Sequence, residues 1–147
     1  MRVVFPPDIR AATEADIPAI MELVNIATEE GWQKPSVEKS KFQMLHCLRT
    51  GVFVVSVANG VVCGVFAGIV DQLWYTDEYH LREIALFVHP RHRKSSHARN
   101  LLTAAQDAAK SLGIPLVVSP HSTDRTNAKC RLIGRHLHKI GEIFVSE

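Results

Sequence analysis

The chain has 147 residues, 46% of them hydrophobic and 22% charged, with a net charge of +2. That length allows one core rather than two. The composition excludes a disordered chain, and so weak a positive charge does not by itself call for nucleic acid. The three cysteines, Cys47, Cys63 and Cys130, are odd in number and far apart. This excludes a complete disulfide framework or a zinc ribbon and suits a reducing cytoplasm. Val3-Val4-Phe5 before two prolines does not make a signal peptide. The longest apolar run, Val61 to Val70, is about half of the roughly 20 residues that a membrane helix needs. A soluble protein without a membrane partner is expected.

In chain order, Ile9 to Ala12 reads as a first strand, and Thr13 or Asp16 supplies a helix N-cap. Ile17, Ile20, Met21, Val24 and Ala27 follow at helical spacing, and Gly31 ends that helix. A second helix spans Ser36 to Leu48, with Val37, Phe42, Leu45 and Leu48 as its apolar side. Val52–Ala58 and Val61–Val70 are strands around an Asn59-Gly60 hairpin turn. A polar and aromatic loop, Asp71 to His80, leads to a strand from Leu81 to Val88 that Pro90 stops.

Ser96 to Leu112 reads as a helix that buries Ala98, Leu101, Leu102, Ala105 and Ala109 and ends at Gly113. A strand at Ile114–Ser119, a basic helix at Thr126–Lys139 and a last strand at Gly141–Ser146 complete the chain. The order β-α-α-β-β-β-α-β-α-β describes one α/β domain over residues 1–147, with a mixed sheet flanked by helices.

The stretch that carries chemistry runs from Leu86 to Arg99. It places a buried strand, a proline break, a basic loop and a helix N-terminus in succession. Unpaired N–H groups and the positive end of the helix dipole hold phosphate at such a place. Arg91, Arg93, Lys94 and Arg99 add cations, and Ser95 and Ser96 can cap the helix or donate hydroxyls. Of the two serines, Ser96 is expected to be the cap.

Val88-His89-Pro90 followed by Arg93-Lys94-Ser95-Ser96-His97-Ala98 resembles the signature of the GNAT superfamily. In that superfamily V-x-P precedes R/Q-x-x-G-x-G/A at the start of a helix. The element order and Ile9-Arg10-Ala11-Ala12-Thr13-x-x-Asp16 also fit. The wording is closest to divergent bacteriophage members, in which serines replace loop glycines. The resemblance implies a GNAT-like fold and transfer of an acetyl group from acetyl-CoA to a primary amine on a small molecule or a protein. It also implies that amides from Lys94, Ser95, Ser96, His97 and Ala98 hold the pyrophosphate, with Arg93 adding cationic charge beside it. Leu86, Phe87 and Val88 would hold the pantetheine and polarise the thioester, and Asn127 would border the pantetheine arm. Glu83, the only carboxylate on that strand, would be the general base. Its parity sets it opposite Leu86 and Val88 unless a bulge intervenes. Trp32, Trp74 and Tyr75 would line the acceptor cleft. A homodimer is compatible with the family.

Two positions depart from the family pattern. Ser96 stands at a usual glycine, and no tyrosine follows Tyr79, although many members use a tyrosine in the last helix to protonate the departing thiolate. Ile133 or Gly134 takes that place. A non-catalytic acyl-CoA-binding protein is therefore an alternative, and a basic nucleic-acid module built on Arg91, Arg93 and Lys94 a more distant one. Eight histidines are present. His89 and His92 fall in a loop and His136-x-His138 points to different helix faces, so no metal site is expected.

Overall fold

A computed structural model describes residues 3–29, 33–120 and 126–146. Its elements are β1 (Ile9–Ala11), α1 (Ile17–Glu29), α2 (Val37–Thr50), β2 (Val52–Ala58), β3 (Val61–Gln72), β4 (Tyr79–Val88), α3 (His97–Leu112), β5 (Leu116–Val117) and α4 (Thr126–Gly134). Short 3-10 turns at Glu14–Asp16 and Pro90–His92 precede α1 and α3. The expected mixed α/β architecture is observed. Among the described residues the strands form one sheet in the order β1-β2-β3-β4-β5, antiparallel except for the β4–β5 pair. No described helix is long and apolar enough to cross a membrane.

Each face of the sheet is buried by a different helical layer. Val54, Phe66, Leu81 and Val88 pack on Leu101, Ala104, Ala105 and Ala109 of α3. Phe53, Val55, Val65, Ala67 and Phe87 pack on Ile20 and Leu23 of α1 and on Met44 and Cys47 of α2. The alternation of odd and even strand residues between these layers follows from the pleat.

Local chemistry sets the element ends. Asn59 and Gly60 take φ of 52° and 77° at the β2–β3 turn, the two positive values that a two-residue hairpin needs. Ser36 accepts a hydrogen bond from the Lys39 amide at 3.3 Å and starts α2. Gly113, with φ 72°, ends α3 in the left-handed region. Thr13 caps the turn before α1, and its N–H donates to Asp16 Oδ2 at 2.8 Å. Arg10 holds both oxygens of Asp16, at 2.7 and 2.8 Å. This pair, chiefly through its hydrogen bonds, lowers the Asp16 carboxyl to about 2.

The structure corrects several readings. The apolar side of α2 is Met44 and Cys47, with the expected Leu48 packed beside them, whereas Val37 and Phe42 are exposed. The strand expected at Ile114–Ser119 pairs only at Leu116 and Val117. The last helix ends at Gly134 rather than Lys139. The strand expected at Gly141–Ser146 pairs with no described strand, and Ile143, Phe144 and Val145 are exposed. Gly31, expected to stop α1, lies outside the described residues.

Candidate active site

β4 and β5 run side by side only as far as Arg82 and Val117. Beyond that point the two chains separate, and a cavity of about 580 Å³ opens between them. Glu83, Leu86, Phe87, Val118, Ser119 and Ile133 line this gap. The cavity continues beneath α1 and α2, past Ile20, Leu23, Val24, Met44 and Phe53.

A bulge decides which way Glu83 faces. Ala67 pairs with Ala85 but Gly68 pairs with Glu83, leaving Ile84 as an extra residue in β4. Glu83 therefore shares a sheet face with Leu86 and Val88, reversing the simple parity. Its Oε2 accepts a hydrogen bond from the Ser119 amide at 3.3 Å, across the gap. The half-buried carboxylate is thus fixed where the strands part.

The backbone of β4 presents donors to the same opening. The His89 N–H donates to Cys63 O of β3 at 2.7 Å. In an antiparallel ladder the direction alternates, so the N–H groups of Leu86 and Val88 turn to the open edge. A strand edge without a neighbouring described strand is suited to binding an extended, amide-bearing chain.

The loop between β4 and α3 completes the site. Lys94 has φ 63° and makes the left-handed step, while Ser96 has φ −83° and ψ −3° in the right-handed region. The expected cap at Ser96 is not formed, since its side chain makes no capping bond. Ser95 acts there instead, with Oγ accepting from the His97 N–H at 3.4 Å and donating to His92 O. Arg93 folds back: its Nε donates to Val88 O at 3.0 Å, and its guanidinium lies over the Phe87 ring, 5.1 Å from the centroid. The exposed cations near the start of α3 are Arg91, Lys94 and Arg99. Ala98 is half-buried and packs on the core, so backbone rather than side chain faces outward at that turn.

The remaining sequence expectations are treated less kindly. Trp74 and Tyr75 sit at the tip of the β3–β4 hairpin, 95% and 68% exposed. They contact each other edge-to-face and are not among the cavity-lining residues. β3 and β4 extend further than their hydropathy suggested, which carries the aromatic pair away from the cleft. Trp32 lies outside the described residues, as does the Asn127 side chain; its backbone begins α4. Ile133 is buried in the cleft wall. The cavity also draws on Lys39, Ser40 and Gln43 of α2, which hydropathy alone does not single out.

The parted strands, the open β4 edge and the loop–helix junction lie together at one end of the sheet. The profile of the acetyltransferase (GNAT) family matches residues 17–138, and the chain belongs to that family. An amino-acid acetyltransferase of Pasteurella multocida (strain Pm70) is 33% identical over 106 residues, covering 72% of this chain and 22% of that protein. The chain thus spans about a fifth of that relative's length. The fold is shared with the aminoglycoside acetyltransferase AAC(6')-Iy, solved with a CoA-containing bisubstrate analogue. The TM-score is 0.75 at 16% identity, over 95% of this chain and 96% of that one. It is shared also with AAC(6')-IG from Acinetobacter haemolyticus, with a TM-score of 0.69 at 18% identity over 95% and 96% of the two chains. The organisms named are bacteria, not bacteriophages.

Proposed function

We propose that the protein transfers an acetyl group from acetyl-CoA to the amine of a small molecule, by direct attack within a ternary complex. The observation that carries this reading is the parting of β4 from β5 beside the N-terminus of a long helix. Pantetheine would lie along the open β4 edge, and the Leu86 and Val88 N–H groups would meet its amides and the thioester oxygen. The amides of Lys94 to Ala98 would take the pyrophosphate. The amine nitrogen would attack the thioester carbon as its ammonium proton passes to Glu83, directly or through water. The C–S bond then breaks, and the thiolate takes its proton from solvent, because Ile133 occupies the wall where a tyrosine would donate.

The cavity also bears on the acceptor. Its described wall holds Lys39, Lys129 and Arg82, the last ion-paired with Asp71, beside one carboxylate, Glu83, and is otherwise largely aliphatic. A polycation such as an aminoglycoside finds little attraction there. An amine with an apolar body and a carboxylate, as in an amino acid, fits better, in keeping with the name of the Pasteurella relative. Release of CoA thiol from acetyl-CoA, followed with a panel of amino acids, apolar amines and aminoglycosides, tests this. The expected result is turnover with the amino-acid arm above the others.

Ile133 favours a second reading, a fold that binds acyl-CoA without turning it over. Stoichiometric acetyl-CoA binding with no thiol release from any amine would establish that reading and end the first.

A further inference from the structure

Beneath the loop that joins β4 to α3 lies a cluster for which the transfer reaction has no use. Cys63, His92 and His97 each offer a ligand atom, and these atoms lie within 4.8 Å of one another. They come from three separate parts of the site: the start of β3, the turn after β4 and the first residue of α3. Cys63 is buried, and the two histidines are half-buried.

The fold takes specific steps to bring them together. Ser56 pairs with Gly64 and Val57 with Val62, so Cys63 is the extra residue of a bulge between β2 and β3. By parity with Val65, Cys63 would face the α1 and α2 layer; the bulge turns it to the α3 side. There Ser56, fully buried, bonds His97 Nδ1 and orients that ring. The His92 and His97 rings meet edge-on, 5.7 Å between centroids. His89, which also contacts His92, is otherwise occupied, because its Nδ1 accepts from the Arg91 N–H at 3.1 Å.

We propose that Cys63, His92 and His97 bind a divalent ion of the zinc class. One thiolate and two imidazoles are the ligands such an ion prefers. At bonds of about 2.0 and 2.3 Å, ligand atoms around a tetrahedral ion stand roughly 3.3–3.6 Å apart. The cluster reaches that spacing by an inward movement of about 1 Å, within the range of side-chain torsions. The Cys63 thiol gives its proton to solvent as the sulfur–metal bond forms, and a water molecule fills the fourth position. Ser56 supplies the outer hydrogen bond that metal-bound histidines commonly make. The ion ties β3, the phosphate loop and α3 into one unit. Three separated positions carry no sequence spacing that announces this, since the bulge and the loop create the group.

Cobalt titration of the purified full chain, without CoA, tests the proposal. Equimolar Co2+ should produce a near-ultraviolet thiolate-to-cobalt band that excess Zn2+ abolishes. Zn2+ at a hundredfold excess over Kd should raise Tm by roughly 5 °C or more. Both effects should survive Cys130→Ser, which removes the exposed cysteine, and disappear in Cys63→Ser. His92→Gln alters an outer turn and keeps the fold, so it serves where Cys63→Ser fails to fold; it should lose most of the band. A wild-type protein without the band overturns the proposal. So does a band that vanishes only in Cys130→Ser, or one that persists undiminished in folded His92→Gln.

Discussion

Lys94→Gly is expected to stabilise the protein, whereas Ser96→Gly is expected to weaken it slightly, although Ser96 is where the family pattern has glycine. The difference lies in the backbone. Lys94 has φ 63°, a region that costs a residue with a Cβ roughly 1–2 kcal/mol. Glycine removes that strain but adds about 0.4–1 kcal/mol of freedom to the unfolded chain. The net gain is about 0 to 1.6 kcal/mol. Ser96 has φ −83° and ψ −3°, so glycine relieves nothing there. It costs from a few tenths at an N-cap to about 1 kcal/mol just inside a helix. Urea unfolding of both variants beside the wild type reads the result. A Lys94→Ala control separates charge from backbone, because alanine keeps the strain and should leave stability unchanged. Destabilisation by Lys94→Gly, or stabilisation by Ser96→Gly, would refute the assignment of the left-handed step to Lys94.

Glu83→Gln should lower kcat by roughly 10²- to 10⁴-fold if this carboxylate takes the ammonium proton, with acetyl-CoA affinity preserved; calorimetry beside steady-state kinetics checks both. Ile133→Tyr places a proton donor in the cleft wall and should raise kcat where loss of the thiolate limits the rate, which thiol release at saturating substrates measures. Asp16→Asn should cost about 2 kcal/mol at pH 7, since the carboxyl lies near 2 in the folded chain against 3.8 ordinarily and each pKa unit is worth about 1.4 kcal/mol. That contribution is complete above pH 3.8 and is lost as the pH falls toward 2. Urea midpoints of the two proteins should therefore converge in acid.

Much of the fold is legible in the residues because local chemistry and tertiary structure agree. Asn59-Gly60, Ser36 and Gly113 mark element ends by their own conformational preferences, and α1 and α3 bury the predicted faces. Agreement fails where a distant partner decides. Val37 and Phe42 look like core residues of α2, yet the sheet meets Met44 and Cys47. Gly141–Ser146 reads as a strand through Ile143-Phe144-Val145, yet it pairs with no described strand. In the candidate site, Val88-His89-Pro90 and the following residues are visible as a strand end, a proline break and a helix N-terminus. The bulge at Ile84 that turns Glu83 and the bulge at Cys63 arise from strand register, and the left-handed step at Lys94 from the loop that follows. No periodicity in the chain encodes them.

Calorimetric titration with acetyl-CoA tests most directly whether the gap between β4 and β5 is the donor site. Val118 lines that gap just beyond the last β4–β5 pair, so Val118→Trp should fill it and leave the two core layers intact. Equimolar binding to the wild type, lost in a Val118→Trp protein of unchanged Tm, is the predicted result. Undiminished affinity in folded Val118→Trp, or no binding to the wild type, would contradict the account.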